Sequence, residues 1–248
     1  MALAKSQCLN AGINVAVLEN KTLTIPRQLT QPDFEWKAEN IAFGGGLDAL
    51  TFDAVILSAK SLFGFCSFSL ELFEDGFGIN QAISGAVAAS LANELDRAIL
   101  NGAGGALEPE GIAQAGTVLT EVLPVPLIDW GCFSRAYGKV TAQNYIPTAV
   151  IGASSIWASL DEQVAGLSGQ PLEMPPSMRS IKLLSSNQVA STAILGAYEN
   201  CILGIRNLIN IEVSRVASPA FLNGQVIIRA YLRADVGVKN PKAFCVIA

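Results

Sequence analysis

Apolar residues recur every four positions along one stretch of the chain: Ile79, Ile83, Val87, Leu91, Leu95 and Ile99, with Ala86 and Ala98 on the same side. This period predicts a single helix with one apolar stripe. Ala82, Ser84, Gly85, Ala88, Ala89 and Ala92 keep much of the remaining surface small, which lets the helix lie close to a sheet. Asn93, Glu94, Asp96 and Arg97 read as its solvated far end, and Asn101-Gly102 as a left-handed stop. From Ile79 to Leu100 such a helix is ~33 Å long, at about 1.5 Å per residue. Glu71, Glu74 and Asp75 lie ahead of it, where the helix dipole favours negative charge. Paired carboxylates also suit acid/base chemistry, but no partner base accompanies them.

Short β-like runs flank this helix. Asn14–Leu18 and Thr22–Ile25 are joined by the polar turn Glu19-Asn20-Lys21. Thr51–Lys60 and Leu62–Leu70 follow the same pattern. In the latter, Leu62, Cys66, Phe68 and Leu70 oppose Phe63, Phe65, Ser67 and Ser69, as in a strand covered on both faces. Near the end, after the hairpin-type turn Asn223-Gly224, Gln225–Asp235 sets Val226, Ile228, Ala230, Leu232 and Ala234 against Ile227, Arg229, Tyr231, Arg233 and Asp235. That is a long strand with one apolar and one charged face. Ala243–Ile247 is a last short strand.

Between these runs the character changes. Leu127–Val140 reads as a helix, and Ser154 as the cap of another running to about Val164. Thr148–Ile151, Ile181–Leu184, Ala193–Leu195, Cys201–Ile205 and Ile209–Val213 read as short strands. The alternation predicts a separate α/β unit inserted into the chain. Residues 1–12 lack a sustained period and read as an extended or mobile arm. Pro26–Leu50 is a loop long enough to be functional, with Phe34, Trp36, Ile41 and Phe43 as bulky groups and Gly44-Gly45-Gly46 as a flexible hairpin tip. The triple glycine lacks the following helix and Lys-Ser/Thr pair of a phosphate cradle. The glycine-rich segment Gly102–Gly111 follows a helix, whereas a dinucleotide fingerprint precedes one.

Of the 248 residues, 51% are hydrophobic and 15% charged. No run of 18 consecutive apolar residues exists, and the N-terminus lacks an apolar signal core. The apolar excess is therefore assigned to a large self-association surface, with no membrane partner. Net charge is −5 without a basic cluster, which argues against sequence-specific nucleic-acid binding. The five cysteines form no C-x-x-C pair and read as reduced, mostly buried thiols. The absence of histidine removes the commonest general base and metal ligand. No catalytic, cofactor-binding or metal residues are assigned. An enzyme with a glycine-loop phosphate site and a monomeric binding module are both disfavoured.

The ordered set of segments resembles a known family. Ser69–Asp75 (SLELFED), the long helix ending at Ala98–Gly104 (AILNGAG), Glu108–Ile112 (EPEGI), Asn200–Arg215 (NCILGIRNLINIEVSR) and Asn223–Phe244 (NGQVIIRAYLRADVGVKNPKAF) are similar to the major capsid proteins of tailed bacteriophages. The resemblance spans about residue 13 to the end. It implies an α+β, Hong Kong 97-like fold. Residues 1–24 would form an N-terminal arm and 25–58 an extended β-hairpin loop overlapping a neighbouring subunit. Residues 59–118 and 214–248 would form a peripheral domain around a spine helix at about 79–100. Residues 119–213 would form the axial domain. The resemblance further implies a homo-oligomer of hexamers and pentamers, closing into an icosahedral shell around double-stranded viral DNA without sequence-specific contacts. Portal, scaffold or cement proteins would be partners, with assembly in the host cytoplasm and a final place in the virion. Phe34, Trp36, Lys37, Phe43, Gly44, Gly45 and Gly46 are the implied intersubunit contacts. Some relatives crosslink a loop lysine to a neighbour's asparagine, which here suggests Lys37 with Asn223 or Asn240. Capsid precursors in the family often carry an N-terminal scaffolding segment that this sequence does not show, so the resemblance implies a processed form, a separate scaffold or a trimmed chain. An encapsulin-type compartment loading a cargo enzyme shares the fold and is the alternative, although the first residues match its amphipathic helix poorly.

Overall fold

The computed structural model describes residues 6–28, 36, 39, 51–75, 78–123, 128–165, 170–189, 192–216 and 222–248. Its elements begin with α1 (Gln7–Asn10), β1 (Asn14–Val17), β2 (Thr22–Gln28), β3 (Phe52–Ser58) and β4 (Lys60–Ser69). Then come α2 (Leu70–Asp75), α3 (Ile79–Asn101), β5 (Leu119–Glu121), α4 (Trp130–Thr141), β6 (Ala149–Gly152) and α5 (Ser154–Asp161). The chain ends with β7 (Val164–Ala165), β8 (Gln170–Pro171), β9 (Lys182–Ser185), β10 (Ala193–Gly196), β11 (Cys201–Ser214), β12 (Gln225–Val238) and β13 (Phe244–Ile247).

Two sheets carry the architecture. One has the order β1-β11-β12-β4, the other β5-β13-β10-β6-β9. The alternation of β12 turns Val226, Ile228, Ala230, Leu232 and Ala234 inward. The C-terminal half of α3 packs on this side, with Leu95, Ile99 and Leu100 in a core shared with Leu203, Leu232, Ile151, Ile194 and Phe244. That core joins the two sheets. On the other face of the five-stranded sheet, Cys132, Phe133, Ala136 and Val140 of α4 meet Ile156 and Leu160 of α5. A third, smaller cluster lies under β2 and β3.

β1 and β2 do not pair with each other: β1 runs parallel to β11, and β2 antiparallel to β3. The two runs Cys201–Ile205 and Ile209–Val213 are one strand, with register shifts around Asn207. The final strand, β13, pairs with β10 and β5 in the five-stranded sheet and so leaves the layer of β12. The acidic Glu71 belongs to a short helix of its own, and the first turn of α3 carries no acid. Ser154 is not a cap; its hydroxyl is 2.9 Å from that of Ser185 and 3.0 Å from Asn187 Oδ1. Gly102 is not left-handed (φ −54°). Its glycine is required by close approach: a Cβ there would stand 2.3 Å from the Pro109 carbonyl oxygen. β4 is covered on one face only, since Phe63 and Phe65 are exposed.

The N-terminal segment also differs from an extended arm. Cys8 is fully buried, and α1 is held by Asp96, which is itself buried rather than solvated. Ser6 Oγ and the Cys8 N–H donate to Asp96 Oδ1, and the Gln7 N–H donates to Oδ2 at 2.8 Å. A carboxylate from the long helix thus takes up the orphan donors of the short helix's first turn. Burial, and secondarily the charge of Asp96, pushes the Cys8 thiol well up.

Candidate assembly surface

The β2–β3 hairpin has two unlike faces. Its register pairs Leu23 with Leu57 and Ile25 with Val55 on one side, and Thr24 with Ile56 and Pro26 with Ala54 on the other. The first side packs on the four-stranded sheet, where Leu57 is fully buried beside Leu18, Ala59 and Ile202. Two glycines make the floor. A Cβ on Gly237 would lie 2.6 Å from Leu57 and 2.7 Å from Val55, and one on Gly204 would lie 3.1 Å from Leu57 and from Leu18. Gly237 and Asp235 share the face of β12 opposite Ala234 and Val236, so the hairpin and α3 lie on opposite faces of the sheet.

Polar contacts fix the hairpin's root. The Ser58 N–H donates to Asp235 Oδ2 at 2.6 Å. Asp235 is buried, and among the described residues its Oδ1 faces the Lys60 ammonium, 3.6 Å away, without a hydrogen bond. Lys60 Nζ in turn donates to the Glu108 carbonyl at 2.7 Å. Arg97 spans Glu94 (2.7 Å) and Glu108 (2.6 Å), and these hydrogen bonds raise its pKa. The loop after α3, the start of β4 and the root of the hairpin are therefore tied at one place. Further out, the Ala54 N–H and then Arg27 hold the Asp53 carboxyl below the usual carboxylate range.

The second side of the hairpin is open. Thr22, Thr24, Pro26, Phe52, Ala54 and Ile56 are all exposed, and none is charged. A two-stranded ribbon with one bare face is marginal in water on its own. More apolar surface lies on the outer face of β4 and β12, where Phe63 and Phe65 are exposed and Phe63 stacks on Tyr231 at 5.9 Å. Trp36 is fully exposed. Of the other predicted contact residues, Phe34, Lys37, Phe43, Gly44, Gly45 and Gly46 lie outside the described residues. Asn240 Nδ2 already donates to Asn200 Oδ1 at 3.1 Å.

Sequence reasoning missed Asp96 and Asp235. Each is a carboxylate beside apolar neighbours at core spacing: Asp96 is four residues from both Ala92 and Leu100, which are buried. Among the described residues no group of three or more His, Cys, Asp or Glu gathers to hold a metal ion. No described helix is long and apolar enough to cross a membrane.

The family model described as the phage capsid family matches residues 3–248. Solved structures share the fold. A chain from Mycobacterium phage Adephagia is 14% identical with a TM-score of 0.76, covering 98% of this chain and 89% of its own. One from Mycobacterium phage Ogopogo is 18% identical with a TM-score of 0.76, covering 98% and 91%. A third, described as "Capsid of empty GTA particle computed with C5 symmetry", is 13% identical with a TM-score of 0.76, covering 97% and 88%. No curated protein matches the sequence.

Proposed function

This chain belongs to the phage capsid family, and from that premise we propose that it is a major capsid protein that assembles through hexamers and pentamers into an icosahedral shell around double-stranded viral DNA. Its fold is the Hong Kong 97-like capsid fold. It is a structural shell protein of the virion and acts as a homo-oligomer. The observation that carries the assembly reading is the uncharged open face of the β2–β3 hairpin, set on a rigid root. Such a face is stable when another subunit covers it.

Heterologous contacts that close into rings generate both kinds of capsomer. In this reading residues 1–24 are the arm and 25–58 the overlapping loop. Residues 59–118 and 214–248 form the peripheral domain and 119–213 the axial domain, with β13 adding its strand to the latter. Phe34, Trp36, Lys37, Phe43 and Gly44–Gly46 meet the neighbour. Portal, scaffold or cement proteins complete the particle in the host cytoplasm. The net charge of −5 leaves the genome confined rather than gripped.

The test is the content of nuclease-treated particles. Protected double-stranded DNA supports the proposal. Closed shells filled with a second protein and lacking a genome would replace it with a cargo compartment.

A further inference from the structure

A groove of about 450 Å³ between α3 and β4 is lined mostly by apolar side chains. A second cavity, of about 440 Å³, has the opposite character. It opens where three segments distant in sequence meet: Arg27 of β2, the turn Gln143-Asn144-Tyr145 after α4, and the turn Lys239-Asn240-Pro241-Lys242 between β12 and β13. The two turns are tied down by their own backbones. The Lys239 N–H donates to the Asn200 carbonyl at 2.8 Å, and the Ala243 N–H to the Asn240 carbonyl at 3.0 Å. Asn144 is left-handed, with φ 63°, a region asparagine enters more readily than most residues. Its N–H donates to the Thr141 carbonyl at 2.9 Å. The side chains around the cavity are therefore presented from a fixed frame.

The charge of this frame is not balanced. Arg27 is paired with Asp53, its Nε donating at 3.0 Å, so it adds donors but little net charge. Lys239 is half-buried and Lys242 exposed, and among the described residues neither ammonium has an ion-pair partner. No described acid lines the cavity; Glu110 lies in the adjoining depression, which shares Arg27 and Pro241 with it. The C-terminus of α4 adjoins the cavity, but the carbonyls of Gly138, Val140 and Thr141 already accept from the N–H groups of Ala142, Gln143 and Asn144. A chain of net charge −5 thus holds two uncompensated lysines in one concave place, beside the side-chain donors of Gln143, Asn144 and Thr117. Charge of one sign in a cleft focuses the field and concentrates the opposite ion.

We propose that this cavity binds a small anion of the phosphate class, with Lys239 and Lys242 supplying the charge and Gln143, Asn144 and Thr117 the neutral donors. Two uncompensated ammoniums match a ligand of about −2 charge, which a phosphate group carries near pH 7 and a single carboxylate does not. Lysine binds phosphate as a point charge and needs no planar partner. The volume lies within the roughly 300–1,000 Å³ of small-ligand clefts. Arg27 lies further along β2 than the Asp235 tie at the hairpin's root, so an anion held here joins the outer part of the hairpin to the turns after α4 and β12. The site belongs to the folded subunit and does not depend on the shell reading.

The test titrates inorganic pyrophosphate into the folded subunit by calorimetry at about 0.1 M salt, where long-range attraction between exposed charges is largely screened. The variants are Lys239→Gln and Lys242→Gln, with Lys21→Gln as the control, an exposed lysine outside the cavity. The expected result is one saturable site per subunit, weakened ~10-fold or more by each cavity variant, as befits loss of a charged hydrogen bond, and unchanged in the control. Absence of saturable binding would overturn the proposal. Equal weakening by all three variants would also overturn it, since that marks diffuse attraction to total charge. A DNA duplex at the same phosphate concentration is the second ligand: binding of the duplex without binding of pyrophosphate would overturn the small-ligand assignment. A second readout needs no variant. Pyrophosphate should slow proteolysis within β2 and β3 more than sodium chloride does at equal ionic strength, and equal protection by both would count against a site that reaches Arg27.

Discussion

A carboxylate sealed between two helices is stable only while its donors stay in place. Asp96 accepts from Ser6 Oγ and from the N–H groups of Gln7 and Cys8. Asp96→Ala should cost about 2–3 kcal/mol, the worth of hydrogen bonds to a charged acceptor. It should also release α1, so that Cys8 becomes alkylable in the native subunit; an unchanged count of reactive thiols would refute the latch. Glu121 offers a different test. Hydrogen bonds from Arg135 and then Lys139 hold its pKa below the ordinary value of 4.5. Its folded-state pKa is thus depressed, so its contribution is present above about pH 4.5 and is lost as pH falls through the lower folded value. Thermal melts across that range should show a smaller acid loss in Glu121→Gln than in the parent. Both residues look like solvated charges in the sequence. Asp96 turns inward because α1 offers three donors, a fact fixed by a segment some ninety positions away.

At the scale of elements, the hairpin depends on its glycine floor. Gly237→Val should cost ~1–3 kcal/mol through overpacking against Leu57 and Val55. The loss should appear as earlier proteolysis within β2–β3, and uniform destabilisation without local cleavage would argue against this role. The long helix and β12 were legible because their apolar periods are long or alternating, and β4 and β13 because each is a run dominated by apolar residues. α1 was not, since four residues carry no readable period. β11 read as two strands because Arg206 and Asn207 interrupt its apolar run, at the place where the ladder shifts register. The partnership of β1 with β11 and of β13 with β10 is non-local, and no local pattern encodes it. The candidate contact surface was legible as an apolar excess, but its location was not. The groove beside β4 appears only once α3 is placed on the sheet.

For the molecule as a whole, composition and structure lead to the same conclusion. A chain with 51% hydrophobic residues leaves Trp36, Phe52, Ile56, Phe63 and Phe65 exposed, and a shell of identical copies is where such surface is covered. Trp36→Ala should leave the subunit's melting temperature nearly unchanged, as expected for an exposed side chain. Particle yield should fall, and a normal yield would remove Trp36 from the contact. The most direct measurement is electron microscopy of the purified protein, with sedimentation to give the mass. Closed shells of uniform diameter, with five-fold and six-fold capsomers in class averages, are the predicted result. A monodisperse monomer that stays soluble at high concentration, with no ring or shell forms, would contradict the account.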